Sequence, residues 1–352
     1  MSYPIYRADL HKDKRDYINF WKRHFPGWQE QKYDLFYENN PRGQAGCWIA
    51  RDPEDDSVIG ASAVFPRQML IHGKPKLSGI AGDLAVSTVC RGHGTAKMLQ
   101  KVLITEYGQL GLAFLYATAN VVSERVAQAV GFRIVGRTVR MVKILRSREY
   151  IRKYLRLGFL TRAASGLVDW TLKLVSPDTR YKGSTQYTFE ILREFDGRFD
   201  DLWREASPHY AIIGERTSSF LNWRFAACPY KSFSVFALTA ESTGAVVAYI
   251  VYHTIHGNNI HIADLFSMRS PDVLNALLSE FIRYQRMQNA DTITLCYFGD
   301  RTIVDTFKRY GFSPRADNRK IVVHIDPTLP HAAAVMDANN WHYLDGDNDA
   351  DA

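Results

Sequence analysis

No stretch of about 18 or more apolar residues occurs in the 352-residue chain, which excludes an ordinary membrane-spanning helix. The start, MSYPIYRADLHKDKRDYINF, lacks the apolar centre and small-residue cleavage site of a secretory leader, and predicts a cytoplasmic protein. Cysteine is scarce: Cys47, Cys90, Cys228 and Cys296 stand apart with no C-x-x-C pair. That spacing excludes a disulfide framework and a closed zinc site, and predicts reduced, packed thiols. The apolar fraction of 46% and charged fraction of 23% are those of a globular protein, with length enough for two cores.

Charge is present in excess of one sign, and it is localised. Val142–Lys182 holds ten Lys/Arg against three Asp/Glu, an excess of seven that equals the whole-chain net charge of +7. Such a segment is a solvated connector, or it rests weakly on an anionic membrane surface or binds nucleic acid. The last residues, LDGDNDADA, are acidic.

Comparison of the chain with itself exposes a repeat. QAVGFRIVGR around Gly131-Phe132 returns as FKRYGFSPRA around Gly311-Phe312, 180 residues later. AGDLAVS at Ala81–Ser87 returns as IADLFSM at Ile262–Met268, and Ile71-His72-Gly73 as Ile255-His256-Gly257. Periodicity and turn residues predict strands at Gly46–Arg51, Val58–Met69, Ile80–Ser87, Ala113–Ala117 and Arg133–Leu145, with helices at Gly94–Tyr107 and Ser123–Val130. The second copy reads the same way: strands Phe233–Ala240, Val246–Ile255, Ile260–Phe266, Thr292–Tyr297 and Lys320–Ile325, helices Pro271–Met287 and Arg301–Tyr310. The expected fold class is therefore α/β (α+β), two tandem domains, each a mixed and mostly antiparallel sheet flanked by helices. Residues 1–145 and 186–330 form the copies, 146–185 a basic helical linker, and 331–352 a tail that is either disordered or docked through Trp341 and Tyr343.

The chemistry concentrates after the third strand of the first copy. Asp83-Leu84-Ala85-Val86-Ser87 leads into Arg91-Gly92-His93-Gly94-Thr95-Ala96 and then into the helix KMLQKVLITEY. Amides at a helix start lack intrahelical partners and carry the positive end of the dipole, so they attract anions. Glycines at 92 and 94 admit positive φ and close approach of a diphosphate, while Arg91 adds charge and Thr95 a hydroxyl. The plain alternative is an ordinary strand-to-helix turn.

RGHGTA resembles the R/Q-x-x-G-x-G/A motif of the GNAT superfamily of N-acetyltransferases, and Asn120 through Gly131-Phe132 resembles that family's N-…-G-F segment. The likeness covers Trp48–Leu145 and, in degraded form, Phe233–Ile325. It implies acyl-CoA as co-substrate and no metal. It places coenzyme A on Leu84, Val86, the Arg91–Ala96 loop (His93 included) and Asn120, whose side chain is expected to cap the next strand. It also implies backbone donors on the Leu84–Ser87 strand for the thioester carbonyl, and Asp83 as possible general base; the alternative for Asp83 is a structural strand-end carboxylate. The tyrosine that many members place four residues before Gly-Phe is Ala127 here and Phe307 in the second copy. The second copy runs from Arg269 straight to Ser270-Pro271-Asp272 and carries Asp300 where the first has Asn120, so only the first copy is expected to bind coenzyme A.

GERTSSFLNWRFAACPY, with Arg216, Trp223 and Arg224 after His209-Tyr210, resembles a segment of two-domain members linked to bacterial polysaccharide biosynthesis. By that resemblance the acceptor is a nucleotide-linked amino sugar, with His209, Arg216, Trp223, Arg224 and Arg67 as acceptor-binding candidates. Two other readings stay open: a peptidoglycan-type aminoacyltransferase fed by charged tRNA, and a non-catalytic acyl-CoA-binding module. An intact phosphate loop argues against the first, and no nucleic-acid partner is expected. His253, His256, His261 and Asp264 are close in sequence, but their spacing sets His253 and His256 on opposite strand faces and argues against a metal site.

Overall fold

The computed structural model describes residues 3–25, 27–147, 170, 176–181 and 185–349. The linker 146–185 lies largely outside them. No helix among the described residues is long and apolar enough to cross a membrane. The four cysteines are free and buried.

In the first half β1 (Ile5–Arg7), β2 (Gly46–Arg51), β3 (Val58–Ile71) and β4 (Lys74–Val86) pair antiparallel in sequence order, and β5 (Leu115–Ala119) joins β4 in parallel. β6 (Arg133–Arg137) and β7 (Val139–Ile144) follow. The second half repeats the plan with β8 (Tyr187–Leu192), β10 (Ser234–Ala240), β11 (Val246–Thr254) and β12 (Asn259–Ser267) antiparallel, and β13 (Thr292–Gly299) parallel to β12. Between them in the chain comes β9 (Ile212–Gly214); β14 (Ser313–Arg315), β15 (Lys320–His324) and β16 (Trp341–Tyr343) complete the set.

Alternation decides which side chains face which helices. Cys47, Ile49, Ala61, Ala63, Phe65, Ile80 and Tyr116 point into a core shared with α1 (Lys14–His24). Trp48, Ala50, Val64, Leu115 and Ala119 point the other way, against α2 (Thr95–Glu106) and α3 (Val121–Ala129). Leu99 and Leu103, one turn apart on α2, are wholly buried there. In the second half α5 (Pro271–Met287) fills the equivalent place, presenting Leu274, Leu277, Leu278, Phe281 and Ile282 to one face of the sheet. α4 (Gly197–Ala206) packs on the other face, and α6 (Arg301–Arg309) follows β13.

The segment expected as one strand, Arg133–Leu145, is two. Thr138 breaks it: its amide donates to Arg319 O and its hydroxyl to Asp317 Oδ2 (2.8 Å). Beyond the break β7 crosses into the second half and pairs with β13 and β14. β15 makes the reverse crossing and lies between β5 and β6. Met141 and Leu145 thus pack in the second core, while Ile321 and Val323 pack in the first. Two-residue periodicity carries no information about which of two similar sheets a strand joins, so residue 145 is not a packing boundary.

A second junction lies at the middle of the molecule. β9 pairs with the end of β3, β16 pairs parallel to β9, and β16 also pairs with the end of β13. One continuous sheet results. Gly299 (φ +135) permits it, because a Cβ there would strike the Trp341 carbonyl. The C-terminal segment is therefore an internal strand, with Trp341 and Tyr343 buried.

Candidate functional site

After β4 the chain makes one tight turn at Thr88–Cys90 and reaches Arg91-Gly92-His93-Gly94, all exposed. Gly92 (φ +86) and Gly94 (φ +81) are both left-handed, and a Cβ on either would meet no atom within 4 Å. Gly94 is the residue from which α2 departs, and no side chain caps the helix there. Its first amides are thus left to whatever lies outside. Thr95 adds a buried hydroxyl without a hydrogen-bond partner at the same place. Open space over two glycines, free amides, a helix dipole and the Arg91 charge together suit a diphosphate.

Beside this loop the sheet parts. β4 and β5 pair only at Gly79↔Leu115 and Ile80↔Tyr116. β3 against β4 slips between Ala61 and Ala63, so Asp83-Leu84 bulges out of the ladder. Asp83 sits at φ +44, a conformation that a side chain other than glycine's rarely adopts. Leu84 is part of the bulge and Val86 lies just past it, both on the part of β4 that no longer pairs with β5.

Lys32, just before a π-helical turn, and Tyr37, within it, hold Asp83. Lys32 Nζ lies 2.7 Å from Asp83 Oδ1, and Tyr37 Oη donates to Oδ2 at 2.6 Å. Tyr37 Oη also meets Tyr17 Oη at 2.5 Å. The turn Tyr33–Glu38 packs a wider ring of backbone than an α-helix, and so brings Lys32 and Tyr37 to the same carboxylate. Burial raises the Tyr37 hydroxyl well above its ordinary pKa, and the Asp83 charge adds to it, so Tyr37 keeps its proton and donates it to Asp83, while accepting from the Tyr17 hydroxyl. Neither Lys32 nor Tyr37 belongs to a recognisable motif, which is why sequence reasoning missed them.

Asn120 caps α3 rather than a strand. Its Oδ1 accepts from Val122 N (2.9 Å) and Ser123 N (3.0 Å), and Ser123 Oγ accepts from Asn120 N. β5 ends one residue earlier, so the free amides within reach are the helix's own. Ala127 is buried, with no hydroxyl to offer. At the equivalent place in the second half, between the starts of α5 and α6, lies a cleft of about 470 Å³ lined by Met268, Arg269, Leu274, Ile303 and Arg309 among others. Arg269 is paired there with Asp300 (2.6 Å), and Asp272 stands in the first turn of α5. That arrangement is a poor receptor for a diphosphate.

The arginines expected to receive an acceptor are brought together, but around the protein's own C-terminal segment. Arg67 Nη2 reaches Asp347 Oδ1 (3.0 Å) and Glu215 O. Arg216 Nη2 reaches Asp347 Oδ2 (2.6 Å) and Asp264 Oδ1 (2.9 Å), and Tyr249 Oη donates to Asp264 Oδ2. Arg224 donates to the carbonyls of Asp345 and Asn348. The Trp223 indole donates to Leu35 O and packs on Phe36 and Phe220. His209 is exposed on the turn Ser207–His209 and takes no part in this network. Arg67, Arg216, Trp223 and Arg224, expected to meet an acceptor, are instead engaged by the chain itself.

Burial opposes the Asp347 charge, yet Arg216 and Arg67 prevail and hold its carboxyl at about 2. Burial pushes Asp264 above the ordinary carboxylate range even beside Arg216. The two carboxylates share one guanidinium, and Asp347, flanked by two, is the one held ionised. Asp345 is engaged by His261 Nε2 (2.6 Å). Asp349 ends the described segment with Oδ2 3.5 Å from Lys32 Nζ. Nothing local to Asp347 connects it with arginines 131 and 280 positions away.

Residues 6–135 match the family model of an acetyltransferase (GNAT) domain. Several solved structures share the fold. One is a "Probable N-Acyltransferase" from Enterococcus faecalis V583, with TM-score 0.65 and 12% identity over 92% of this chain and 73% of that one. Another is a tandem GNAT protein from the clavulanic acid biosynthesis pathway, with TM-score 0.56 and 12% identity over 92% of this chain and 98% of that one. A third is N-myristoyltransferase from Saccharomyces cerevisiae with bound myristoyl-CoA, with TM-score 0.56 and 12% identity over 92% and 79%. No curated protein matches the chain by sequence. The first half is thus similar to an acetyltransferase (GNAT) domain, and the chain as a whole shares the fold of these proteins.

Proposed function

We propose that the chain is an N-acyltransferase in which the first half holds acyl-CoA and the acyl group passes to the amine of a small acceptor entering between the halves. The observation that carries this is the Arg91–Ala96 loop: two left-handed glycines under open space, an uncapped helix start and the orphan Thr95 hydroxyl, beside the parted strands β4 and β5. N-Myristoyltransferase, a neighbour in fold, is named with bound myristoyl-CoA, which supports the choice of carrier. In this reading the diphosphate lies on the loop, the pantetheine arm runs between β4 and β5, and main-chain donors near Leu84 and Val86 meet the thioester carbonyl. One such donor aimed at the developing oxyanion contributes on the order of 3 kcal/mol. The second half, without the loop, walls the acceptor side.

A nucleotide-linked amino sugar is the acceptor that the resemblance implies, but the arginines that would suit its diphosphate are engaged by the tail, so it enters as one class among several. The test is thiol release from acetyl-CoA with a panel of aliphatic amines, free amino sugars and nucleotide-linked amino sugars. Release with one class identifies the acceptor. Calorimetric binding of coenzyme A without release for any amine would replace the reading with that of a non-catalytic binding module. Absence of binding would remove it altogether.

A further inference from the structure

We propose that Asp349, in the C-terminal segment, is the carboxylate that takes the proton from the acceptor amine; this rests on the acyl-transfer reading above. The tail reaches its position through a series of buried fixings. β16 is wedged between β9 and β13, Asp345 is bound by His261, and Asp347 by Arg67 and Arg216. From β5, Tyr116 Oη donates to Asp347 O (2.9 Å). Two residues on, Asp349 lies against Gly82 at the bulge of β4, where any Cβ would run into its carboxylate. Gly82 is two residues beyond Ile80, the last residue of β4 to pair with β5, so Asp349 is placed where the two strands part.

Asp83, nearer in sequence to the phosphate loop, is the less suitable base. Both its oxygens are engaged, one by the Lys32 ammonium and one by the Tyr37 hydroxyl. Lys32, 5% exposed, reaches both carboxylates, at 2.7 Å and 3.5 Å. Asp349 is the more accessible of the two, at 16% against 9%. Asp83 and Tyr37 then position Lys32, and Lys32 tethers Asp349. The ionisable groups around Asp349 include Lys32, with Asp83 and Tyr37 behind it on the sheet side, Asp347 with its two arginines along the tail, and the Tyr116 hydroxyl, which burial and then the Asp349 charge hold up.

The step balances. An ammonium acceptor gives one proton to Asp349, and the freed lone pair forms the C–N bond at the thioester carbonyl carbon. The C–S bond breaks with its electron pair on sulfur. The second nitrogen proton passes to that thiolate to give the free thiol, and Asp349 returns its proton to solvent.

The experiment uses the full chain, acetyl-CoA and whichever amine the panel identifies. Asp349→Asn is expected to lower kcat by about 100-fold or more, the usual range for a lost general base. Acetyl-CoA affinity and melting temperature stay near wild type, and the acid limb of the kcat/KM profile changes to that of the amine alone. Asp349→Glu should restore part of the rate, and deletion of residues 349–352 should match Asp349→Asn. Wild-type turnover with an unimpaired Asp349→Asn enzyme overturns the inference and leaves the acyl-transfer reading intact. A rate loss with the wild-type acid limb retained also overturns it, leaving a positioning residue. Faster turnover after the deletion overturns it in favour of a tail that blocks the site. A wild-type protein that binds acetyl-CoA but acylates nothing sinks both.

Discussion

At Gly94 the backbone is left-handed and faces open space, so a substitution there meets no clash, only backbone strain and whatever charge it brings. Gly94→Asp brings both penalties at the positive end of α2. It is expected to weaken coenzyme A binding at least tenfold by calorimetry while the melting temperature moves little. Asp347 poses the opposite case, a buried charge between two arginines. Asp347→Ala leaves Arg67 and Arg216 buried with one counter-charge removed, and should cost about 3–5 kcal/mol in urea unfolding. These two residues also mark what local sequence can convey. Gly94 was legible because the strand–glycine–helix order, together with its likeness to a known loop motif, is complete within a few residues. Asp347 was not, because its partners are 280 and 131 positions away.

Among elements, β7 and β15 decide how the halves are joined. Each completes the other half's sheet, flanked on both sides by strands that are not its own. Separation would strip two strands from their ladders and expose Met141, Leu145, Ile321 and Val323. A protease site introduced within residues 150–165 should therefore yield two fragments that co-elute in gel filtration and part only in denaturant. The fragment 1–145 made alone should be insoluble, since β5 and β6 would lack the strand between them. The repeat at a lag near 180 residues exposed the duplicated plan, and the helices α2, α3, α5 and α6 lie where apolar periodicity set them. The exchange itself was hidden, because both copies have the same alternation and a strand of either fits both.

For the whole molecule, buried imidazoles set the response to acid. Burial, with Arg216 adding to it, lowers His342 to about 3. Burial, with His261 adding to it, lowers His253 to about 4. Both are neutral when folded, whereas in the unfolded chain they bind protons below about 6.5. Stability is thus complete above that pH and falls as pH drops below it, by up to about 1.4 kcal/mol per pH unit for each imidazole. Asp347, depressed to about 2, acts in the same direction at lower pH: its contribution holds above the ordinary carboxylate range and is lost toward pH 2. Urea midpoints should fall steadily from pH 6.5 to pH 5, and His342→Gln should make that slope shallower even if it lowers the midpoint at pH 7.

By itself the sequence determined the duplicated α/β plan, the glycine turn at Gly92 and Gly94 and its absence from the second copy, since each depends on contacts within a few residues or on a repeat visible in one dimension. Tertiary structure alone decided the strand exchange and the docking of the C-terminal segment, an internal strand at Trp341–Tyr343 followed by a buried acidic turn. It alone gathered Lys32, Asp83 and Asp349 at the bulge. Those outcomes depend on which charges and strand edges meet after collapse, and an aspartate's sequence neighbours say nothing about an arginine that burial places against it.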